Sequence, residues 1–418
     1  MFGKGALIFV IGFSLIFSTY SMKLNYLTVQ SADNFNFYYM ENLIHEAGNT
    51  VMNIAIHEVW LNGTGIDTFT VYANPCTTFV EISSTGSDSI IVSVITRSRL
   101  FLSDYYADHN DTYEFRDTII AVFTYETPLS EYFWFTGTEN GAYWATGDTV
   151  WGPIHTNQIM HNSGTPVFYG KATARLGISP DPTKPSSQAE FLGGWEIGVD
   201  MGIPTDMSDL IIAAIVSNDG ASLNTKCIYL DELTMDFLSN GNVIRTVDGV
   251  TDTVTLTTIA PDGVIMCFSD INVSGTLNGE VTLYSWDDIW IQDDIVYAVD
   301  PLVNPNSDDM LGLVAEDDVW IADNVANNTN LNMNACILAI NGSMQVDNLN
   351  SYPVAGILSN IGSISQGGRG DINKRTGGPT GPISHGFSKN YYYDPRLTEV
   401  SPPEYPYIQE LHLASWWE

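Results

Sequence analysis

The run Asp287-Asp288-Ile289-Trp290-Ile291-Gln292-Asp293-Asp294 comes back further along the chain as Asp317-Asp318-Val319-Trp320-Ile321-Ala322-Asp323-Asn324. Around the two copies, short strand-like stretches recur as MCFSDINVSGTLNG, EVTLYSWDDIWIQDDIVYA and MLGLVAEDDVWIAD. Apolar residues alternate inside each copy and Gly, Asn or Asp stand between copies, the pattern of coils that are each too short to bury a face alone and become stable only by stacking. The expectation is a mainly β protein built on a right-handed parallel β-helix, or solenoid. Val281, Leu283, Ile289 and Ile291 are expected to point inward, and Thr282 and Gln292 outward, as in a strand with one buried face. An antiparallel β-sandwich shares the alternation, but it gives no reason for the DD(I/V)WI motif to repeat.

The chain has 418 residues, enough for two domains or an elongated solenoid with an appendage. With 15 basic against 49 acidic residues the net charge is −34, which repels phosphate backbones and anionic headgroups and argues against nucleic-acid binding. The four cysteines, Cys76, Cys227, Cys267 and Cys336, have neither C-x-x-C spacing nor a nearby His in a ligand pattern, so buried thiols are expected. Cys267 and Cys336 fall in apolar runs and are expected on inward positions.

At the amino terminus, Lys4-Gly5 precedes the uncharged apolar run Ala6 to Phe17, and no Pro occurs before Pro75. Leu43, Ala47 and Val51, with Ile44, Gly48, Met52 and Ala55 beside them, recur at helical spacing. One helix from Ala6 to Trp60 would be about 80 Å long at 1.5 Å per residue. Lys4-Gly5-Ala6 before such a run resembles the site cut by prepilin peptidase, and the layout resembles minor pilins and pseudopilins. The resemblance implies processing between Gly5 and Ala6, a membrane anchorage and other pilin-like subunits as partners. Major type IV pilins carry a Glu at the fifth mature position, where this chain has Val10.

The predicted organisation is a membrane-anchoring helix over 1–60, a small β domain over 61–140 and the solenoid over 141–374. An inserted excursion is expected at about 179–262, where Pro180, Pro182 and Pro185 cluster and Met207 to Val216 reads as a short helix. The Pro- and aromatic-rich tail, 375–418, is expected to cap the last coil. Ser87-Asp88 suits a hairpin turn, and Asp104 to Asp111 a solvated loop. The span from Gly141 onward resembles a family of uncharacterised bacterial exported β-helix proteins, a domain of unknown function. The residues that carry this are Trp144 to Asp148, Gly152 to Asn157, Ser274 to Gly279, Asp309 to Leu313 and Tyr393 to Arg396.

For chemistry, the acidic pairs invite a polysaccharide hydrolase or lyase reading, since β-helices include such enzymes. Adjacent residues on a strand point to opposite faces, so each pair offers one carboxylate to a groove. A lyase base of the Lys or Arg kind is missing between Arg245 and Arg369. Bound Ca²⁺ is a further possibility, with Asp288 and Asp318 at equivalent turns as hard oxygen ligands. His155 reads as a hydrogen-bonding turn residue and Arg369-Gly370-Asp371 as a loop. No catalytic residue is expected. The reading is a non-enzymatic, exported cell-surface protein: a component of a type IV pilus or type II secretion-like system, or an adhesin with surface glycans as conceivable partners.

Overall fold

The computed structural model describes residues 3–62, 68–85, 89–101, 112–378 and 380–417. The turn expected at Ser87-Asp88 and the loop expected at Asp104 to Asp111 lie outside the described residues. The chain divides into two units, Met1–Glu126 with Glu410–Glu418, and Thr127–Gln409.

The first unit is organised by one helix, α1, Gly3–Asn62. No Pro interrupts it, and at 1.5 Å per residue its 60 residues span about 90 Å. Its two halves differ. Leu7, Ile8, Phe9, Phe13 and Phe17 are exposed, whereas Met40, Ile44, Val51, Met52, Ala55 and Val59 are buried. The buried stripe lies on an antiparallel sheet of β1 (Thr68–Ala73), β2 (Cys76–Thr85), β3 (Ser89–Phe101) and β4 (Thr112–Pro128), with the strand Tyr407–Trp417 at the edge beside β4. Val80, Ile82, Val92, Val94, Ile119 and Ala121 meet Val51, Met52 and Ala55 in one cluster. Gly48 lets helix and sheet close up: a Cβ there would lie 3.0 Å from Ile119 Cδ1 and 3.1 Å from Thr96 Oγ1.

The second unit contains a ten-stranded sheet in the order Trp195–Ile197, Ala172–Ala174, Ile154–Thr156, β5 (Trp134–Thr138), Ser363–Gly368, Cys336–Ala339, Met310–Ala315, Glu280–Ser285, Val264–Cys267, Ile228–Tyr229. All nine pairings are parallel. The chain enters this sheet in its middle. From β5 it steps outward to Trp195–Ile197, re-enters at the opposite edge with Ile228–Tyr229, and returns strand by strand until Ile364 pairs with Trp134. The DD(I/V)WI repeat lies in a second, seven-stranded sheet, where Ile289 pairs with Val319 and Ile291 with Ile321. The spacing of that repeat is not shared by all neighbouring strands. Leu283 pairs with Ile265 on one side and with Leu313 on the other, so the step that precedes it along the chain is much shorter than the step that follows.

Much of the stretch 179–262, expected as an excursion, takes places in these sheets: Trp195–Ile197 and Ile228–Tyr229 edge the first, and Leu233–Phe237 pairs in parallel with Ile271–Leu277 in the second. The prolines sit between strands and so do not interrupt the ladders. Outside the parallel order are the helix Ser208–Asn218 and the antiparallel strands Asn242–Val247 and Val250–Thr255.

Two apolar clusters lie on opposite faces of the ten-stranded sheet. Val281, Leu283, Ile289, Ile291, Leu311, Val319, Ile321 and Cys267 fill the interior. Val264, Met266, Tyr284, Val314, Leu338 and Cys336 face the other way, covered by Leu210 and Ala214 of the helix and by Leu397 and Tyr405 of the tail. Burial on both faces is why VIMC, MLGLVA and CILA read as continuous apolar runs. Two expectations change accordingly. Thr282 points outward but is fully buried, with its hydroxyl donating to Pro403 O; Cys336 is buried in the outer cluster and not the interior. The tail expected as a cap packs on both clusters: Phe387 and Tyr391 join the interior one, and Leu397 and Tyr405 the outer one. Arg396 donates to the carbonyls of Ser307 and Asp309, and Ile383–Tyr392 joins a four-stranded sheet beside Val354–Ile361.

Candidate functional site

Gly5 and Ala6, the expected processing positions, lie in the exposed first turns of α1. A Cβ on Gly5 would meet no atom within 4 Å. The helix is the one among the described residues that is long and apolar enough to cross a membrane, by length and composition, a test that signal sequences also pass.

The acidic turns form a ladder. Asp270 Oδ1 accepts from the Asp288 amide at 3.2 Å, Asp288 Oδ1 from the Asp318 amide at 2.8 Å, and Asp318 Oδ1 from the Ser343 amide at 2.7 Å. Asp288 and Asp318 thus occupy equivalent positions, each with a carboxylate oxygen bound to the backbone of the next turn. The oxygens that lie within 4.8 Å of one another belong to Asp270, Asp287 and Asp288; Asp318 is not among them. Burial, then the neighbouring Asp270 and Asp318 charges, raises the Asp288 carboxyl above its ordinary range, and burial with Asp270 and Asp317 does the same to Asp287. Three carboxylates are fewer than the roughly six to eight oxygen donors that Ca²⁺ takes, and oxygens of Asp270 and Asp288 already accept from Asp288 N, Trp290 Nε1 and Asp318 N.

His155 is buried in the strand Ile154–Thr156 and not in a turn. Its Nδ1 is 2.8 Å from Thr173 Oγ1 and its Nε2 is 2.9 Å from Asn157 Oδ1. Burial lowers its pKa, so both nitrogens serve the fold in a neutral ring. Gly152, at the start of the same motif, has a steric role. Gly152, Gly170 and Gly193 stack at one corner, where a Cβ on Gly170 would come within 2.0 Å of Gly152 O and one on Gly193 within 2.3 Å of the Gly170 carbonyl carbon.

Arg369-Gly370-Asp371 is a loop, and its arginine is withdrawn from the surface. Arg369 is 5% exposed, its Nη1 donates to Glu139 Oε2 at 2.8 Å, and its guanidinium lies 4.4 Å from the Trp144 ring centre and 5.2 Å from that of Trp134. Presentation as an adhesion tripeptide is excluded by this burial. A second internal pair, Asp394 with Arg396, explains the Tyr393 to Arg396 motif. Arg396 bridges Asp394 to the Ser307 and Asp309 carbonyls, and Asp309 Oδ1 accepts from the Gly279 amide at 2.8 Å. The Glu139–Arg369 pair and the reach of Arg396 to Ser307 and Asp309 carried no sign in the sequence, because their members are remote in the chain.

No family model matches this chain, and no curated protein matches it. A similar solved structure is that of the competence-associated pilin ComZ from Thermus thermophilus, at 12% identity over 90% of this chain and 96% of that one, with a TM-score of 0.36. A likeness at that level carries no argument about this chain.

Proposed function

We propose that this chain is a non-enzymatic, membrane-anchored protein of pilin-like build, with α1 as anchor and spine and the second unit as a right-handed parallel β-helix carried outside the cytoplasm. The observation that carries the reading is the division of α1: its first turns are apolar and uncovered, while Met40 to Val59 is packed on an antiparallel sheet. An exposed apolar run of roughly 20 residues is stable in a bilayer and costly in water. The solenoid reading rests on parallel registers that continue through successive strands in two sheets, with one apolar cluster between them. Favouring the non-enzymatic reading, the carboxylates of the acidic repeat are engaged by backbone amides. Partners on this reading are the membrane and other pilin-like subunits.

Cell fractionation with carbonate washing tests it: the full chain is expected in the membrane pellet with its second unit open to external protease, and deletion of residues 6–22 should release it. A washed pellet lacking the protein would overturn the anchor. Incubating the purified protein with acidic and neutral polysaccharides tests the rival reading, since sustained release of oligosaccharides would make it an enzyme.

A further inference from the structure

Beside the Arg369–Glu139 pair a cavity of about 260 Å³ is lined by Arg369, Arg375, Lys389, Asp148, Asp371 and Tyr143, among others. In a chain with 15 basic and 49 acidic residues, the meeting of three basic side chains in one cavity is unusual. They are not equally engaged. Arg369 is paired with Glu139, and Arg375 donates through Nη1 to Gly381 O at 2.9 Å. Lys389 is half-buried, with its Nζ 5.5 Å from the Trp144 ring centre, and makes no hydrogen bond or ion pair among the described residues. Burial, and next the Arg369 charge, hold its amine down to about 8. Asp148 and Glu139 offset the cost of this partly desolvated ammonium only in part, and an anion held directly on it would lower that cost further. Asp148 and Asp371 add acceptors that a simple carboxylate would not use. Sugar hydroxyls would use them. The exposed ring of Tyr143 offers an apolar face beside them. The volume is below the ~300 Å³ at which drug-sized sites begin, so it suits a single ring.

We propose that this cavity binds one uronic acid residue, its carboxylate held by Lys389 and Arg375 and its hydroxyls by Asp148 and Asp371. The source is a free sugar acid or the end of a polyuronide, which share this chemistry.

The test is calorimetric titration of the full chain in detergent with galacturonate, glucuronate, galactose and tri-galacturonate. Binding of a uronate at least tenfold tighter than galactose is expected. Lys389→Met should abolish the preference and Lys389→Arg should retain it, with both variants checked for an unchanged melting temperature. Should Lys389→Met melt early, Arg375→Gln is the second variant, expected to weaken uronate binding severalfold. Tri-galacturonate matching or exceeding the monomer assigns a polyuronide source; monomer binding alone assigns a free sugar acid. Absence of uronate binding, equal binding of galactose, or uronate affinity unchanged in a well-folded Lys389→Met would overturn the proposal.

Discussion

Glu139 and Arg369 stand 230 residues apart in the chain, and their charged groups meet at 2.8 Å where the first and last strands of the ten-stranded sheet pair. Both are almost wholly buried, and Asn140 Nδ2 also donates to the Arg369 carbonyl at 3.1 Å. The pair therefore braces the seam in the middle of the sheet, where the last strand to arrive meets the first. Removing one partner of a buried pair leaves an uncompensated charge and costs about 3–5 kcal/mol. Glu139→Ala and Arg369→Ala are each expected to lower the melting temperature markedly. Their double variant should lose much less than the sum, because the charge left behind disappears with it. Additive losses in a double-mutant cycle would mean that the two side chains do not act as a pair.

The sheet interior makes a second prediction, about strand phase. Ile291 is fully buried in the interior cluster, so Ile291→Ala should cost about 2–5 kcal/mol and Ile291→Asp should prevent folding. Gln292, one residue on and half-buried, should tolerate Asp far better. Thr282 separates this structure from a strand with one open face: its outward side chain is covered, so Thr282→Asp is expected to be nearly as damaging as Ile291→Asp. Expression and circular dichroism of the three Asp variants would check this, and a well-folded Thr282→Asp would contradict the covering tail.

The acidic ladder predicts an order of stability at position 288. The folded-state pKa of Asp288 is raised, so its stabilising contribution is present below the unfolded carboxylate range and is lost as pH rises through the raised value. Asp288→Asn keeps an oxygen for the Asp318 amide and removes repulsion with Asp270 and Asp318, whereas Asp288→Ala loses the hydrogen bond. At pH 7 in EDTA the melting temperatures should rank Asn above Asp above Ala, and the gap between Asn and Asp should narrow on acidification as Asp288 takes up its proton. Asp ranking above Asn in EDTA would contradict the assigned repulsion. Repeating the series in millimolar Ca²⁺ tests the cation, since a reversal of Asn and Asp only there would make these carboxylates its ligands.

How much of this was legible depends on how local the signal is. Ile289 and Ile291 stacking on Val319 and Ile321, and Asp288 on Asp318, could be read from the repeat because alternation and spacing are properties of neighbouring residues. The stripe Val51, Met52 and Ala55 was legible for the same reason. The outer covering was not, since nothing in EVTLYS reveals that Pro403, over a hundred residues away, will lie on Thr282. Nor was the seam, whose members Trp134 and Ile364 share no motif. The step between paired strands cannot be read from one spacing, because connections of different length separate successive strands, as the unequal steps from Ile265 to Leu283 and from Leu283 to Leu313 make plain. Arg369 sits among glycines that suggested only a loop; its partners Glu139, Trp134 and Trp144 belong to the opposite end of the unit's sequence.

The packed half of α1 predicts that the helix and its sheet fold as one body. Met52 and Ala55 are fully buried, so Ala55→Asp should loosen the helix from the sheet while Asn53→Asp, on the exposed side, should not. Limited proteolysis in detergent would read the difference as cleavage within residues 40–59. Equal resistance of the two variants would mean that the helix does not depend on this face.

Whether the apolar start of α1 is kept as an anchor is read from the mass of the amino-terminal peptide of the protein purified from its own membranes. Met1 to Gly5 are expected to be removed, the mature chain to start at Ala6, and substitution of Gly5 to block this cleavage while leaving the protein in the membrane. A mature chain starting near Met22, with the apolar run gone, would contradict the anchor.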